Sequence, residues 1–274
     1  MSADERVGTA LRERLAADLA VRGGRMALEH FHRAQLSGKP DGSIVTDHDV
    51  AIQEHLALEI ARAFPDDAVV GEEGQGADGR GHALYSWVIA SMDGTGDFDR
   101  GLPGFAVSIG VLRNRQPFAG AVYDPITRWL FTAGAGRGAW LNERPLRTRR
   151  APLSRGSLLS IRTPLEDGMP PFVDEWLRRY RLRRFGSTAL HLCYVALGAL
   201  DLVHDHRASL WDIAGAAPIL LEAGGALTTI EGAPLFPATV GQLGGAPIAF
   251  LAGNPASHAQ AVAEILAASA FDHS

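Results

Sequence analysis

The chain has 274 residues, of which 46% are hydrophobic and 21% charged, and its formal net charge is −5. This composition is sufficient for a buried core, and the charge excludes a general electrostatic attraction to nucleic acid or to an anionic membrane. We therefore expect a small molecule as the partner, with neither nucleic acid nor membrane involved.

The cysteine content and the apolar runs bear on location. A single cysteine, Cys193, excludes an internal disulfide framework and is typical of a reducing compartment. No stretch approaches the roughly 20 apolar residues of a membrane span, and the first residues, MSADERVG, lack the basic-then-apolar order of a signal peptide. These features predict a cytoplasmic protein.

Hydrophobic periodicity and turn residues predict the elements of the first half. Apolar residues at three- and four-residue steps indicate a long first helix, in which Gly23-Gly24 is a candidate kink. The predicted elements are a helix over 4–36, a loop or hairpin over 38–43, a helix from Asp47 or Asp49 to Phe64, a strand over 68–70, a strand from Trp87, and an antiparallel meander over 105–133.

An arginine- and proline-rich stretch over 144–155 is interpreted as the boundary between two halves, residues 1–150 and 151–274. The second half is predicted to contain strands over 158–162, 200–204, 226–230 and 248–252, and helices over 171–180, 188–198, 212–223 and 255–268. This alternation predicts an α/β fold of the mixed α+β kind, with mixed rather than purely parallel sheets.

Acidic residues occur at three separated places: Glu72-Glu73, Asp93 with Asp97 and Asp99, and Asp212. Hard cations such as Mg²⁺ take a few carboxylate oxygens and leave other positions to water and phosphate. Taken singly, each place has an ordinary explanation, because an acid at a helix start is most often a cap and paired glutamates in a glycine loop are usually solvated. The turn at 92–97 adds a carboxylate at a strand end followed by small residues, whose exposed amides can hold a phosphate.

Six motifs in order resemble the inositol monophosphatase family of magnesium-dependent sugar phosphatases. They are SIVTDHD at 43–49, GEEG at 71–74, MDGTGDF at 92–98, FAVSIG at 105–110, GSTALHLCYVALGALD at 186–201 and WDIAGAAPILLEAGG at 211–225. Several separated motifs in family order are far more specific than any single one. The resemblance implies a layered αβαβα sandwich, a homodimer, Mg²⁺ as cofactor, and hydrolysis of a small phosphorylated polyol or sugar at a site between the two halves.

The resemblance also implies roles for individual residues. Metal ligands would be the side chains of Glu72, Asp93 and Asp212 and the backbone carbonyl of Met92, with Asp49 supporting a further ion. Glu72 and Thr95 would orient the attacking water, and the amides of Gly94 and Thr95 would bind the phosphate. The substrate side would be lined by Gly186, Ser187 and Thr188, and Asp205 would bind a substrate hydroxyl.

One departure from the family pattern concerns the metal site. The family has Asp-Pro-hydrophobic-Asp-Gly-Thr where this chain has Ala90-Ser91-Met92-Asp93-Gly94-Thr95. The missing Asp usually bridges two cations about 3.5 to 4 Å apart, whose repulsion a shared anion offsets. Because the neighbouring Pro is also changed, the pattern favours natural divergence over a single engineered substitution. The chain could keep one metal, recruit Asp97 or Ser91 as a ligand, or have lost hydrolysis.

Other features carry less functional information. Alternate residues of a strand point to opposite faces, so the histidines of His204-Asp205-His206 are expected to face away from Asp205 rather than form a metal cluster with it. The arginines at 144–155 and 178–184 are interpreted as solvated faces or a dimer contact. The functional alternatives are therefore a metal-dependent phosphomonoesterase, a non-hydrolytic relative that binds a phosphorylated ligand or catalyses another reaction, and a regulatory interaction protein.

Overall fold

The computed structural model describes residues 3–31, 37–38, 44–45, 47–72, 83–165 and 168–271. Its helices are α1 Ala3–His30, α2 Asp47–Ala63, α3 Thr95–Asp99, α4 Pro171–Arg179, α5 Thr188–Leu197, α6 Leu210–Ala214, α7 Ala216–Glu222, α8 Val240–Leu243 and α9 Pro255–Phe271. Its strands are β1 Ser37–Gly38, β2 Ile44–Val45, β3 Ala68–Gly71, β4 Tyr85–Asp93, β5 Ala106–Arg113, β6 Gln116–Asp124, β7 Trp129–Gly134, β8 Gly138–Leu141, β9 Arg144–Pro145, β10 Leu158–Ile161, β11 Arg181–Leu182, β12 Leu202–Ala208, β13 Ala226–Thr228 and β14 Ile248–Gly253.

The larger sheet has seven strands in the order β3-β4-β5-β6-β7-β8-β9. β3 lies parallel to β4, and each later neighbour is antiparallel. The antiparallel order of β5, β6 and β7 confirms the meander predicted over 105–133. β4 is buried along nearly its whole length, because both faces of the sheet are covered. This strand carries Ala90 and ends at Asp93, and both residues are buried.

The smaller sheet has five strands in the order β11-β10-β12-β14-β13. β10 is parallel to β11 and β12, whereas β14 is antiparallel to β12 and β13. Both sheets are therefore mixed, as predicted. The chain passes from one sheet to the other between Pro145 and Leu158, where the arginine-rich stretch lies. The division at residue 150 stays a prediction.

The helices form three layers around the two sheets. α1 and α2 cover the outer face of the larger sheet around a core that includes Trp87 and Ile89. α5, α6 and α7 lie between the sheets, and α4 and α9 cover the outer face of the smaller sheet around Trp176. The order helix, sheet, helix, sheet, helix confirms the αβαβα sandwich.

Several predicted boundaries are wrong. The first helix ends at His30 rather than near residue 36, and residues 32–36 lie outside the described part of the chain. α1 continues through Gly23-Gly24 without interruption. The two glycines serve close packing, because a Cβ on Gly24 would lie 2.5 Å from the ring of Tyr123 on β6. Of the hairpin expected at 38–43, the described part is the antiparallel pair β1 and β2.

Two errors affect the site directly. The strand predicted over 200–204 runs from Leu202 to Ala208, so Asp205 lies within β12 rather than after it. The helix predicted over 212–223 begins at Leu210 and is divided into α6 and α7 at Gly215. Pro218 explains the division, because it has no N–H group to donate to the carbonyl of Ala214. The short elements α8 and β11 were not predicted, and neither were β8 and β9, because the predicted meander ended at residue 133.

A buried ion pair connects α1 to the larger sheet. The guanidinium of Arg12 donates to both carboxylate oxygens of Asp67, each at 2.9 Å, and Trp87 Nε1 donates to Asp67 Oδ2 at 2.8 Å. The same guanidinium lies 3.7 Å from the ring centroid of Tyr85 and 4.3 Å from that of Phe64. A bidentate pair with aromatic contacts on a largely buried arginine is a strong local interaction.

We predict that Arg12→Met lowers the free energy of unfolding by about 2 to 4 kcal/mol, because it leaves the buried Asp67 carboxylate with fewer donors. The matched control is Arg22→Met on the same helix, whose side chain is 49% exposed and pairs with Asp18. This control should cost about 0.5 kcal/mol or less. Urea unfolding followed by fluorescence measures both, and equal losses for the two variants would contradict the prediction.

Candidate active site

The end of β4 and the turn after it form the centre of the site. Gly94 has φ 98°, a left-handed conformation that favours glycine, and it precedes α3. A Cβ at this position would lie 2.7 Å from the carbonyl oxygen of Gly104 and 3.0 Å from the amide nitrogen of Ser187. Both conformation and space therefore require glycine here. The amides of Gly94 and Thr95 lie where a helix begins, and such amides have no acceptor within the helix.

Asp93, the last residue of β4, is held by the first residues of α5. Its Oδ2 accepts from Ser187 Oγ at 2.6 Å and from the amide of Ala189 at 2.7 Å, and its Oδ1 accepts from the amide of Thr188 at 3.3 Å. Burial raises the pKa of Asp93 to about 6, although these hydrogen bonds oppose the rise. Asp93 thus joins the larger sheet to a helix of the second half.

Ser187 has a structural role that the sequence analysis did not predict. It is the N-cap of α5, and its hydroxyl accepts from the amide of Leu190 at 3.0 Å while it donates to Asp93. The predicted substrate residues Gly186, Ser187 and Thr188 do lie at the site. For Ser187, however, the observed partners are protein groups.

Thr95 and Met92 interact within the turn. Thr95 Oγ1 donates to the backbone carbonyl of Met92 at 3.0 Å. A hydroxyl has one proton to donate, so this bond leaves Thr95 Oγ1 as an acceptor for a further donor such as a water molecule. The Met92 carbonyl has a second lone pair and can still accept or ligate.

Glu72 and Asp212 approach the turn from two other elements. Glu72 follows β3, and its amide donates to the carbonyl of Ile89 on β4 at 3.3 Å. Its neighbour Glu73 lies outside the described residues. Asp212 is the third residue of α6, where its Oδ2 accepts from the amide of Ser209 at 2.7 Å. Asp212 therefore helps to cap α6, which is the most common role of an acid at a helix start.

Asp212 is half-buried and has acidic residues near it. Burial raises the pKa of Asp212 well above its usual value, and the charges of Asp93, Glu72 and Asp205 raise it further. α6 lies close to the larger sheet because Gly110 and Gly120 leave room for Ala214 and Gly215, which a Cβ at either glycine would overlap. Small residues in the sheet therefore bring Asp212 near the end of β4.

The fit of these residues to Mg²⁺ can be judged from their chemistry. All the predicted donors are oxygens, which are the ligand atoms that Mg²⁺ prefers. Within the described residues, no three or more His, Cys, Asp and Glu side chains form a group that could hold a metal ion. Mg²⁺ usually binds through one or two carboxylates and keeps several waters, so Asp93 and Asp212 fit one such ion.

A second, bridged ion does not fit, because Ala90 supplies no oxygen. Ala90 is fully buried on β4 and pairs across the sheet with Ser108 on β5. A Cβ on Gly215 would overlap Ser108 Oγ, so Ser108 faces the helices between the sheets. Among the residues that the structure describes, Ser108 Oγ has no hydrogen-bond partner. Directly paired residues of antiparallel strands have neighbouring side chains, so a carboxylate at position 90 would lie beside this hydroxyl.

The candidate substitute ligands have other surroundings. Asp97 Oδ2 accepts from the amide of Gly186 at 2.7 Å, which connects α3 to the segment before α5. Asp49 is buried on α2, and Ser91 is buried on β4. The proposed ligand roles of all three stay predictions.

Asp205 lies at the predicted substrate side, together with two arginines that the sequence analysis did not select. Thr188 Oγ1 donates to Asp205 Oδ2 at 3.2 Å, and Arg162 Nη1 lies 3.4 Å from the same oxygen. Burial lowers the pKa of Arg184, whereas the charges of Asp205, Asp93 and Asp97 raise it. Arg184 was interpreted as part of a solvated face or dimer contact, and its exposure agrees with the solvated face. Their sequence positions could have indicated both arginines. Arg162 follows a predicted strand, and Arg184 lies two residues before Gly186, which was predicted to line the substrate side.

The His-Asp-His sequence divides as strand alternation predicts for its first two members. The ring of His204 lies 5.5 Å from the ring of Phe172 in the outer layer, and its Nδ1 lies 3.2 Å from the carbonyl of Phe250. Asp205 instead contacts Thr188 in the layer between the sheets. His204 and Asp205 therefore face opposite sides of β12.

His191 on α5 supports the segment that precedes Ser187. Its Nε2 accepts from the amide of Phe185 at 3.0 Å, so the neutral ring carries its proton on Nδ1. Burial, with the charge of Arg184, lowers the pKa of His191 to about 3. Nothing in the sequence analysis identified this residue, because a histidine within an apolar helix gives no indication of its partner.

Comparison with known proteins identifies the family to which this chain belongs. A sequence model described as the inositol monophosphatase family matches residues 5–269, and the chain belongs to this family. It is 34% identical over 80% of its length to the Nus factor SuhB of Pseudomonas aeruginosa, covering 87% of that protein. It is also 34% identical to inositol monophosphatase 1 of Solanum lycopersicum, covering 78% of this chain and 82% of the relative. A solved structure of an IMPase from Thermotoga maritima superposes with a TM-score of 0.83 at 27% identity, covering 95% of this chain and 98% of that chain.

None of the helices in the described parts of the chain combines the length and the apolar composition that a crossing requires.

We predict that His191 contributes to the acid sensitivity of the protein. The ring has a pKa near 6.5 when exposed and about 3 in the fold, so the unfolded chain binds the proton first and stability falls as the pH drops from 6.5 toward 3. In His191→Gln the amide oxygen can still accept from Phe185, but this proton linkage is absent. Its unfolding free energy should fall less steeply than that of the native chain, by about 1.4 kcal/mol per pH unit. Urea unfolding at pH 6, 5 and 4 tests this, and parallel losses in the two proteins would refute it.

Proposed function

We propose that the chain is a magnesium-dependent phosphomonoesterase that acts on a small phosphorylated polyol or sugar. The observation that carries this proposal is the combination of Asp93, with Asp212 among its acidic neighbours, and the amides at the start of α3, directly after Asp93. Carboxylates favour a cation, and amides at a helix start favour a phosphate. Membership of the family, several of whose members are named inositol monophosphatase, supports hydrolysis as the reaction.

Each residue then has a defined task. The amides of Gly94 and Thr95 bind and orient the phosphate. Thr95 Oγ1, whose own proton is donated to the Met92 carbonyl, accepts a hydrogen bond from the attacking water. The Glu72 carboxylate, carried by a residue whose amide bonds to Ile89 of β4, accepts a hydrogen bond from the second proton of that water. Asp93, Asp212 and the carbonyl of Met92 would hold Mg²⁺, which when bound neutralises charge on the phosphate and polarises it toward attack.

The proposal includes one ion per site rather than two. Asp93 and Asp212 supply the carboxylates of a single Mg²⁺ site, and Ala90 lacks the oxygen that a bridged pair would share. The predicted contributions of Asp49 and Asp97 as supporting ligands, the homodimer, and the cytoplasmic location stay part of this proposal as predictions.

A second candidate is a non-hydrolytic relative that binds a phosphorylated ligand. Ala90 favours this function, because losing the bridging carboxylate removes charge stabilisation while leaving the amide turn intact. A third candidate is a regulatory protein, which the relatives named Nus factor SuhB support. The amide turn would serve binding in all of these functions, so only a measurement of hydrolysis separates them.

Phosphate release tests the proposal. We expect the native chain with Mg²⁺ to hydrolyse at least one member of a panel of inositol phosphates, histidinol phosphate and fructose 1,6-bisphosphate. Ala90→Asp should raise the rate about 10- to 100-fold, because a second ion can then bind beside Ser108. Ala90→Asn, of nearly the same shape but without charge, should stay near the native rate.

Three further results decide between the candidates. Asp93→Asn in the native background should abolish release, which excludes a contaminating phosphatase. A silent native chain with an active Ala90→Asp variant would contradict the first function and support the non-hydrolytic one. Silence of both proteins, with folding confirmed by circular dichroism, would contradict hydrolysis at this site altogether.

A further inference from the structure

The linker between the two sheets, residues 146–157, borders a cavity at one end of the smaller sheet. The cavity has a volume of about 720 Å³. Arg147, Thr148 and Arg150 line this linker cavity, together with Gly224 after α7 and Ala256 in the first turn of α9. Pockets for small molecules commonly measure about 300 to 1,000 Å³, so the linker cavity can hold a small metabolite.

The linker cavity lies apart from the candidate active site. Gly253, the last residue of β14, pairs with Leu202 at the start of β12, so the first turn of α9 lies near the start of that strand. Asp205 lies further along β12, and Asp212 follows the other end of the strand. A ligand in the linker cavity therefore does not occupy the place of the substrate.

The backbone of the linker is held against both helices that border the cavity. The amide of Thr148 donates to the carbonyl of Ala223 at 3.1 Å, directly after α7. On the α9 side, Ser257 Oγ donates to the carbonyl of Ala151 at 3.0 Å. Because these contacts flank Arg150, its backbone position is fixed before any ligand binds, which lowers the entropic cost of binding.

Two arginines of the cavity have unused donors. Arg147 Nη1 donates to the carbonyl of Glu222 at 3.0 Å, which leaves most of the five N–H groups of this guanidinium available. Among the residues that the structure describes, Arg150 has no hydrogen bond and no ion pair. The carboxylate of Glu222 accepts instead from the amides of Gly136 and Gly138, at 2.8 and 2.9 Å. Neither guanidinium therefore has an acidic partner in the described part of the chain.

The arginines, rather than the start of α9, provide the donors of the linker cavity. Pro255 has no N–H group, and Asn254 Oδ1 already accepts from the amides of Ala256 and Ser257 at 3.1 and 3.0 Å. The neighbouring Arg149 has a different environment, since its guanidinium lies 3.8 Å from a carboxylate oxygen of Asp201. Binding in the cavity would thus depend on Arg147 and Arg150.

We propose that the linker cavity is a second anion site, in which Arg147 and Arg150 bind the phosphate group of a small phosphorylated molecule. A phosphate monoester carries a charge of about −1.5 to −2 at pH 7 and three acceptor oxygens. Two guanidiniums match this group in charge and in planar donor geometry, whereas a carboxylate supplies one charge and two oxygens. This inference goes beyond the proposed function and does not depend on hydrolysis.

The alternative explanation is that Arg147 and Arg150 belong to an exposed basic surface that attracts any anion equally. In that case charge alone would matter, and the loss of any arginine of the linker would weaken binding to the same extent. A site in the cavity instead requires particular arginines and the open space beside Ala256. Matched substitutions inside and outside the cavity separate these explanations.

Titration calorimetry with inorganic phosphate and with ribose 5-phosphate, in the presence of EDTA, tests the inference. Without a divalent cation, the acids beside the Gly94 turn repel a phosphate at the active site. We expect the native chain to bind at least one probe with a Kd of about 1 mM or lower. Arg150→Gln should weaken this binding about 10- to 100-fold, because it removes charge-assisted hydrogen bonds.

Controls separate the site from net charge and from fold damage. Arg155→Gln removes the same charge from an exposed position of the linker outside the cavity, and its Kd should stay within about two-fold of the native value. Arg150→Lys should recover part of the affinity, because it keeps the charge without the planar fork. Urea unfolding should show native stability for Arg150→Gln, since this side chain has no described partner to lose.

A substitution at Ala256 tests the cavity with both arginines in place. Ala256→Glu puts a carboxylate among the guanidiniums and suits the first turn of a helix, so it should abolish phosphate binding without loss of stability. Ala256→Gln, of nearly the same shape but uncharged, should bind more tightly than Ala256→Glu.

The results of these titrations decide the inference. Tighter binding of ribose 5-phosphate would identify an organic phosphate monoester as the ligand, and equal binding of both probes would show that the phosphate group alone is held. Either result, together with the loss in Arg150→Gln, supports the second anion site. A Kd above about 1 mM for both probes, equal weakening by Arg150→Gln and Arg155→Gln, or native affinity in Ala256→Glu would overturn it.

Discussion

The contact between Asp93 and the beginning of α5 is the constraint on which the site depends. Asp93 ends β4, which lies next to the edge strand of the larger sheet, and Ser187, Thr188 and Ala189 donate to it from a helix of the second half. The same segment provides the Ser187 amide that bonds to the Gly104 carbonyl at 2.8 Å, close against Gly94. The turn, the helix and the strand can therefore take their observed places only together.

Asp93 therefore has two roles, one in holding the fold together and one in the charge of the site. Asp93 accepts hydrogen bonds from the beginning of α5. It is also an acidic neighbour of Asp212, and burial and the charge of Asp93 both raise the pKa of Asp212. Where relatives are expected to carry another carboxylate, this chain has the buried Ala90. Removing that charge lowers the repulsion among the remaining acids, but it also removes the anion that two close cations would share. The charge balance of the site therefore favours one ion.

Much of this arrangement could be predicted from the sequence, for identifiable reasons. The core strands and the long helices have strong periodicity, and the motifs located Glu72, Asp93, Gly94 and Asp212 without coordinates. Boundaries failed where a local interaction overrides periodicity, as at Gly215, where Pro218 cannot donate to the preceding turn. His191 was missed although its partner, the amide of Phe185, lies only six residues away, because an apolar helix gives no indication of that contact. The second role of Ser187 and the positions of Arg162 and Arg184 could not be predicted, because they depend on residues distant in sequence. Such contacts form only when β10, β12 and α5 pack together.

The central claim is that the acids beside the Gly94 turn bind one divalent cation despite Ala90. Titration calorimetry of Mg²⁺ into the native chain with saturating inorganic phosphate measures this most directly, without any assumption about the substrate. The account predicts a stoichiometry of one ion per chain, its loss in Asp93→Asn, and two ions per chain in Ala90→Asp. No binding to the native chain, or two ions bound by it, would contradict the account.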